Sequence, residues 1–184
     1  MHGSKRIAKV ARAWPVVQSQ LGQNYHAPKM KIRNCIFLAA IVVFAGCSKP
    51  TVLTGDAKFT TSQTYRPPVE ITIVAKTDST NLRMSYAADQ VVFNWEDDKT
   101  QLRVDGGPAD GQHQAGAGYI PPDKFVTIRW KVTPSGQAIY VDGQLRLLHS
   151  GDYSQINRYV SVFPANGSTV TVKSVTVKPL HNAS

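Results

Sequence analysis

The run Phe125–His149, FVTIRWKVTPSGQAIYVDGQLRLLH, decides the fold class. Val126, Ile128, Trp130 and Val132 alternate with Thr127, Arg129 and Lys131, the period of two that puts one face of a strand into an apolar core and the other toward solvent. Pro134, Ser135 and Gly136 turn the chain into a second apolar segment, Ala138–Val141, and Asp142-Gly143 is a dipeptide suited to a two-residue hairpin leading into Gln144–His149. These turns supply the antiparallel neighbours that such strands require.

The same grammar extends in both directions. Toward the N-terminus, Val69–Lys76 carries Val69, Ile71, Ile73 and Ala75 on one face. Asn81–Tyr86, Gln90–Trp95 and Gln101–Val104 follow with short connections, and four strands in about 36 residues predict an antiparallel meander. An entering edge strand is expected at 56–60. Asp105–Gly118, DGGPADGQHQAGAG, is too rich in Gly and Pro for a regular element and reads as a long surface loop. Toward the C-terminus, a loop with at most one helical turn at Ser150–Asn157 precedes a strand at Tyr159–Phe163 and a turn at Ala165-Asn166-Gly167. In Thr169–Leu180, Val170 and Val172 keep one phase while Val175 and Val177 keep the other, which predicts a β-bulge or corner near Lys173 and Ser174. Roughly ten short strands with almost no helical periodicity imply an all-β, two-sheet antiparallel sandwich, with a barrel as the second arrangement.

Charge bounds the partners. The 184 residues carry a net charge of +9, but Lys5, Arg6, Lys9, Arg12, Lys29, Lys31 and Arg33 supply seven of the 21 basic residues, and all 12 acidic ones follow position 47. From Cys47 onward, 14 basic residues face 12 acidic ones, a balance of +2, so nucleic acid is not an expected partner. The two cysteines, Cys35 and Cys47, both lie in or beside the leader, so an internal disulfide is not expected in the mature domain.

Met30 opens a well-formed signal sequence: Lys31 and Arg33 precede an uncharged run of twelve residues, Cys35–Gly46, which suits a signal-peptide core and is short for a membrane span. The expected organisation is an upstream extension from an early start codon at 1–29, a signal peptide at 30–46, a tether at 47–55, a sandwich domain at 56–180 and a tail at 181–184.

Ser79–Glu96, STNLRMSYAADQVVFNWE, is the candidate ligand site. Asn81, Arg83, Asn94, Trp95 and Glu96 lie on two strands across a hairpin, and amides, a guanidinium, a carboxylate and an indole together satisfy hydroxyl groups and cover an apolar ring face, as a sugar requires. Each residue has an ordinary alternative: Trp95 continues an alternating strand and equally suits the core, and Arg83 and Glu96 equally form a cross-strand pair. Asp105 and Asp110 lie in a Gly-rich loop that would allow calcium to approach, but no EF-hand spacing is present. His113, His149 and His181 lack the spacing of a zinc site, and no metal or other cofactor is expected.

Two resemblances sharpen these readings. Phe44-Ala45-Gly46-Cys47-Ser48 resembles the lipobox of bacterial lipoproteins, which implies cleavage before Cys47, acylation of that residue, and a lipid-anchored place in the cell envelope, at the outer membrane if the cell is Gram-negative. The strand order resembles the concanavalin A-like jelly roll of galectin and laminin-G domains, with the best local likeness at Ala138–His149. Galectins carry His-x-Asn-x-Arg, then Val-x-Asn, then a Trp and a Glu. Asn81-Leu82-Arg83 and Val92-Phe93-Asn94 match parts of this pattern, Ser79 takes the place of the His, and Trp95 and Glu96 follow Asn94 at once. The resemblance implies a non-catalytic carbohydrate-binding module; a structural or protein-interaction domain of the envelope is the alternative. Glu96-Asp97-Asp98 departs from the Glu-x-Asp-x-x-Glu order of laminarinase-like enzymes, so catalysis is not expected. Labelling with a lipid precursor is expected to mark the wild-type protein and to spare Cys47→Ala; label that persists in the variant refutes acylation at this residue.

Overall fold

The computed structural model describes residues 49–180; the expected extension at 1–29, the signal peptide at 30–46, Cys47 and the tail at 181–184 lie outside the described residues. Eleven strands are present among the described residues: β1 (Thr51–Thr54), β2 (Phe59–Thr60), β3 (Val69–Thr77), β4 (Leu82–Ser85), β5 (Gln90–Phe93), β6 (Arg103–Asp105), β7 (Val126–Thr133), β8 (Gly136–Val141), β9 (Gln144–Ser150), β10 (Ser161–Phe163) and β11 (Thr169–Pro179). They form a six-stranded sheet in the order β1-β11-β3-β7-β8-β9 and a five-stranded sheet in the order β2-β10-β4-β5-β6. All pairings are antiparallel. The fold is a two-sheet jelly-roll sandwich.

Alternation places the core between the sheets. β3 buries Val69, Ile71, Ile73 and Ala75 at every second residue, and β7 does the same with Val126, Ile128, Trp130 and Val132. From the five-stranded sheet Leu82, Met84, Phe93, Val104 and Val162 meet them. Tyr86, just past β4, sets its ring edge-on to Trp130 with centroids 6.1 Å apart at 89°, a favourable arrangement of ring quadrupoles. The Trp130 indole Nε1–H donates to Gln137 Oε1 at 2.8 Å, which satisfies a buried donor inside the apolar layer.

The hairpin expected at Asp142-Gly143 is present, with both residues left-handed at φ 48° and 83°, the geometry whose twist matches the flanking strands. The bulge expected near Lys173 is present as a register shift between Val172 and Ser174 in the pairing of β11 with β3. Lys173 is the extra residue, and it brings Val175 and Val177 back onto the side of Val170 and Val172.

Two expectations fail. β3 is not part of the meander: β4, β5 and β6 form one, whereas β3 lies in the other sheet between β11 and β7. Both edges of β3 are occupied by long partners, so Asp78–Asn81 forms a corner between sheets instead of a hairpin. That corner is pinned to the start of β11, where Asp78 N donates to Thr169 O and Thr169 N donates to Asp78 Oδ1, both at 3.0 Å. Thr51–Thr54, read as part of the tether, is instead β1 on the edge of β11. Only Leu53 among its four residues turns inward, so no periodicity betrays it.

Trp130→Phe keeps most of the apolar volume but leaves Gln137 Oε1 buried without its donor. It is expected to cost about 2–3 kcal/mol, read as a lower urea midpoint with an unchanged slope; an unchanged midpoint refutes the role given to this bond.

Candidate functional site

β4 and β5 pair with Leu82 opposite Phe93, Arg83 opposite Val92 and Met84 opposite Val91. At the open end of this hairpin two asparagines adopt left-handed backbone, Asn81 at φ 51° and Asn94 at φ 50°, a conformation that Asn tolerates better than most residues. Asn81 N donates to Asn94 O at 2.9 Å and closes the end. The consequence falls on Trp95. Phe93 faces the core, so a continued strand would turn Asn94 out and Trp95 in; the left-handed residue reverses that phase. Asn94 is fully buried, and Trp95 lies partly exposed on the outer face of the five-stranded sheet.

Asn94 is held from three directions. Its Nδ2 donates to Ile120 O at 2.9 Å and to Ser79 O at 3.2 Å, and its Oδ1 accepts from Ile120 N at 2.8 Å. Asn94 N donates to Gly118 O at 3.0 Å, where the long loop returns. Gly118 is required there, since a Cβ would collide with the backbone of Gln101.

The polar side chains of this face form one chain of hydrogen bonds. Asn81 Oδ1 accepts from Arg83 Nε at 3.2 Å and from Nη2 at 2.9 Å. Arg83 Nη1 donates to Gln90 Oε1 at 3.0 Å, and Gln90 Nε2 donates to Asp105 Oδ2 at 2.7 Å. Arg103 Nε donates to both Asp105 oxygens at 3.0 and 2.9 Å, and its guanidinium lies 4.5 Å from the centre of the Trp95 ring. Arg83 Nη2 also reaches Glu96 at 3.4–3.5 Å, and Glu96 accepts a further bond from Asn166. The Arg83 side chain is 17% exposed and that of Glu96 32%, so this ion pair is partly screened and serves mainly to orient the guanidinium.

The network surrounds a depression of about 270 Å³ lined by Arg83, Gln90, Val92, Trp95, Glu96, Asp97 and Arg103. Guanidinium donors, an amide, carboxylate acceptors and an indole converge on it. Burial pushes the Asp105 carboxyl up, but hydrogen bonds from Arg103 and Gln90 outweigh burial and leave it below its ordinary value. Asp105 therefore contributes stability above the ordinary carboxylate pKa, and loses it as acid protonates the folded group. Such a carboxylate is an acceptor at neutral pH and a poor proton donor.

Of the five residues expected at the site, Arg83, Trp95 and Glu96 line the depression. Asn81 and Asn94 do not: both are fully buried, the first holding Arg83 and the second holding the loop. Gln90, Arg103, Asp105 and Asn166 also join the network, a place the sequence pattern does not assign to them. Arg103 and Asp105 stand two apart on β6 and so share its outward face, and hairpin pairing sets Gln90 opposite Asp105; strand phase alone would have singled them out once the register was known. Elsewhere, His113 Nδ1 accepts from Val104 N at 3.1 Å, Asp110 Oδ1 accepts from Gly106 N at 2.6 Å, and His149 pairs with Tyr153. Among the described residues no three His, Cys, Asp or Glu side chains come together in a way that could hold a metal ion.

No protein-family model matches the sequence, and no curated protein matches it by sequence. The likeness is to solved structures. A native glycosidic hydrolase superposes with a TM-score of 0.54 at 12% identity, over 73% of this chain and 80% of that one. A prokaryotic β-1,3-1,4-glucanase (lichenase) derived from a mouse hindgut metagenome gives 0.53 at 10% identity, over 71% and 79%. The Bacillus licheniformis β-glucanase gives 0.51 at 13% identity, over 68% and 76%. This is the concanavalin A-like lectin/glucanase fold. Identities this low establish the architecture and leave the site to be argued from its own residues.

Asn94→Ala removes three side-chain hydrogen bonds and is expected to lower stability by about 3 kcal/mol, whereas Asn94→Gly keeps the backbone freedom and loses less. Urea denaturation of both variants checks the order; equal losses would mean that the left-handed backbone contributes nothing.

Proposed function

We propose that the protein is a non-catalytic carbohydrate-binding module, anchored in a bacterial cell envelope through an acylated Cys47. The observation that carries the reading is Arg83, fixed by Asn81, Gln90 and Glu96 beside the partly exposed indole of Trp95. A guanidinium locked in this way loses little entropy on donating to sugar hydroxyls, and an indole offers a flat surface to sugar CH groups. Glu96 and Asp97 supply acceptors at the rim. The glucanases that share the fold act on glycans by name, which favours this ligand class over a protein partner.

Catalysis has less support. Glycoside hydrolysis by paired carboxylates needs one of them raised in pKa to protonate the leaving oxygen. Here Asp105 is lowered by its donors, the opposite of what that role needs.

A glycan array probed with residues 47–184 is expected to give binding that Arg83→Ala with Trp95→Ala abolishes, while the fold is retained by circular dichroism. Binding undiminished by the double substitution, or none to any glycan, refutes the site.

A further inference from the structure

Phe163 lies on the outward face of β10, directly opposite Arg83 on β4. The depression over Arg83 therefore borders a second and larger one, of about 550 Å³, built from two connections. Gly55–Lys58, between β1 and β2, forms one side, and Phe163–Gly167, leading to β11, forms the other. Asn166 joins the two: it lines the second depression and donates to Glu96, which lines the first. Asn166 and Gly167 are both left-handed, at φ 50° and 75°, which gives the turn at this boundary a defined shape.

The chemistry of the second depression matches that of the first in kind but not in residues. Phe163 offers a ring face, Asp56 a carboxylate acceptor and Asn166 an amide. The Lys58 ammonium lies 4.4 Å from the centre of the Phe163 ring, and Lys58 belongs to none of the ion pairs among the described residues. Lys58 is exposed and Phe163 half-buried, and a solvated ammonium over a ring is held weakly. It can swing aside and donate to a hydroxyl while the ring is covered by something else.

We propose that this second depression is an adjoining sugar subsite, so that the protein takes two or more linked pyranose units of a glycan chain, not a single terminal sugar. The inference rests on the reading that the depression over Arg83 takes a sugar. Neighbouring strands lie about 4.8 Å apart, close to the length of one sugar unit, so a chain crossing from β4 to β10 passes from Arg83 to Phe163 in one step.

The test uses monosaccharide and tetrasaccharide members of four ladders, β-1,3-glucan, β-1,4-glucan, β-1,4-galactan and alginate, titrated calorimetrically into residues 47–184. The wild-type protein is expected to bind the tetrasaccharide of at least one ladder about ten-fold or more tightly than its monosaccharide. Phe163→Ala and Lys58→Ala should each reduce that advantage by about three- to ten-fold and leave monosaccharide binding unchanged. Lys58→Ala alters only an exposed side chain, so it remains a fair test even if Phe163→Ala fails to fold. A tetrasaccharide advantage unaffected by Lys58→Ala and by folded Phe163→Ala overturns the second subsite. Binding that Arg83→Ala abolishes but that shows no dependence on chain length overturns it while sparing the first site. No binding of any ladder member by the wild-type protein counts against both.

Discussion

The rest of the molecule depends on the apolar layer between the two sheets, and within it on the edge-to-face contact of Tyr86 with Trp130. A buried aromatic removes roughly 150–250 Å² from water, worth about 4–6 kcal/mol at ~25 cal/mol per Å², whereas a surface ion pair is worth about 0–1 kcal/mol. The core therefore dictates register, and the polar groups of the outer faces accept the positions that register leaves them. The bulge at Lys173 shows the same priority, since the strand gives up one ladder position and Val175 and Val177 stay on the inner side.

The candidate site follows from one local departure from that rule. Everywhere else in the β4–β5 hairpin the alternation is kept, with Leu82, Met84, Val91 and Phe93 inward. At Asn94 the left-handed backbone ends the strand and reverses the phase, which spends a polar side chain on the interior and places an indole outside. The arrangement is stable because Asn94 finds partners in Ser79 and Ile120, and Asn81 finds one in Arg83. A buried amide costs free energy when unpaired and little when paired. The two asparagines thus act on the site from beneath, one through the guanidinium and the other through the returning loop.

A polar network restricts the side chains around the depression over Arg83. The hydrogen bonds from Asn81 through Arg83, Gln90 and Asp105 to Arg103 restrict each side chain before any ligand arrives. That preorganisation lowers the entropy lost on binding. The same bonds hold Asp105 ionised, which favours acceptance of hydroxyl hydrogens over delivery of a proton.

By itself the sequence determined the class of fold, most strand positions, the hairpin at Asp142-Gly143 and the bulge near Lys173, because each is written in side-chain alternation or turn chemistry over a few neighbouring residues. Within Ser79–Glu96 it also marked Arg83, Trp95 and Glu96, which line one depression. Only the tertiary structure decided which sheet β3 joins, since Asp78–Asn81 fits a hairpin and a sheet-to-sheet corner equally well and the choice is made by the distant strands β7 and β11. Only the tertiary structure recovered β1, whose four residues bury just Leu53. It alone turned Asn81 and Asn94 inward and brought Gln90, Arg103 and Asp105 to the same face. Residue type states what a side chain can do, but backbone phase and cross-strand register decide where it points, and both are settled by the packing of the whole sandwich.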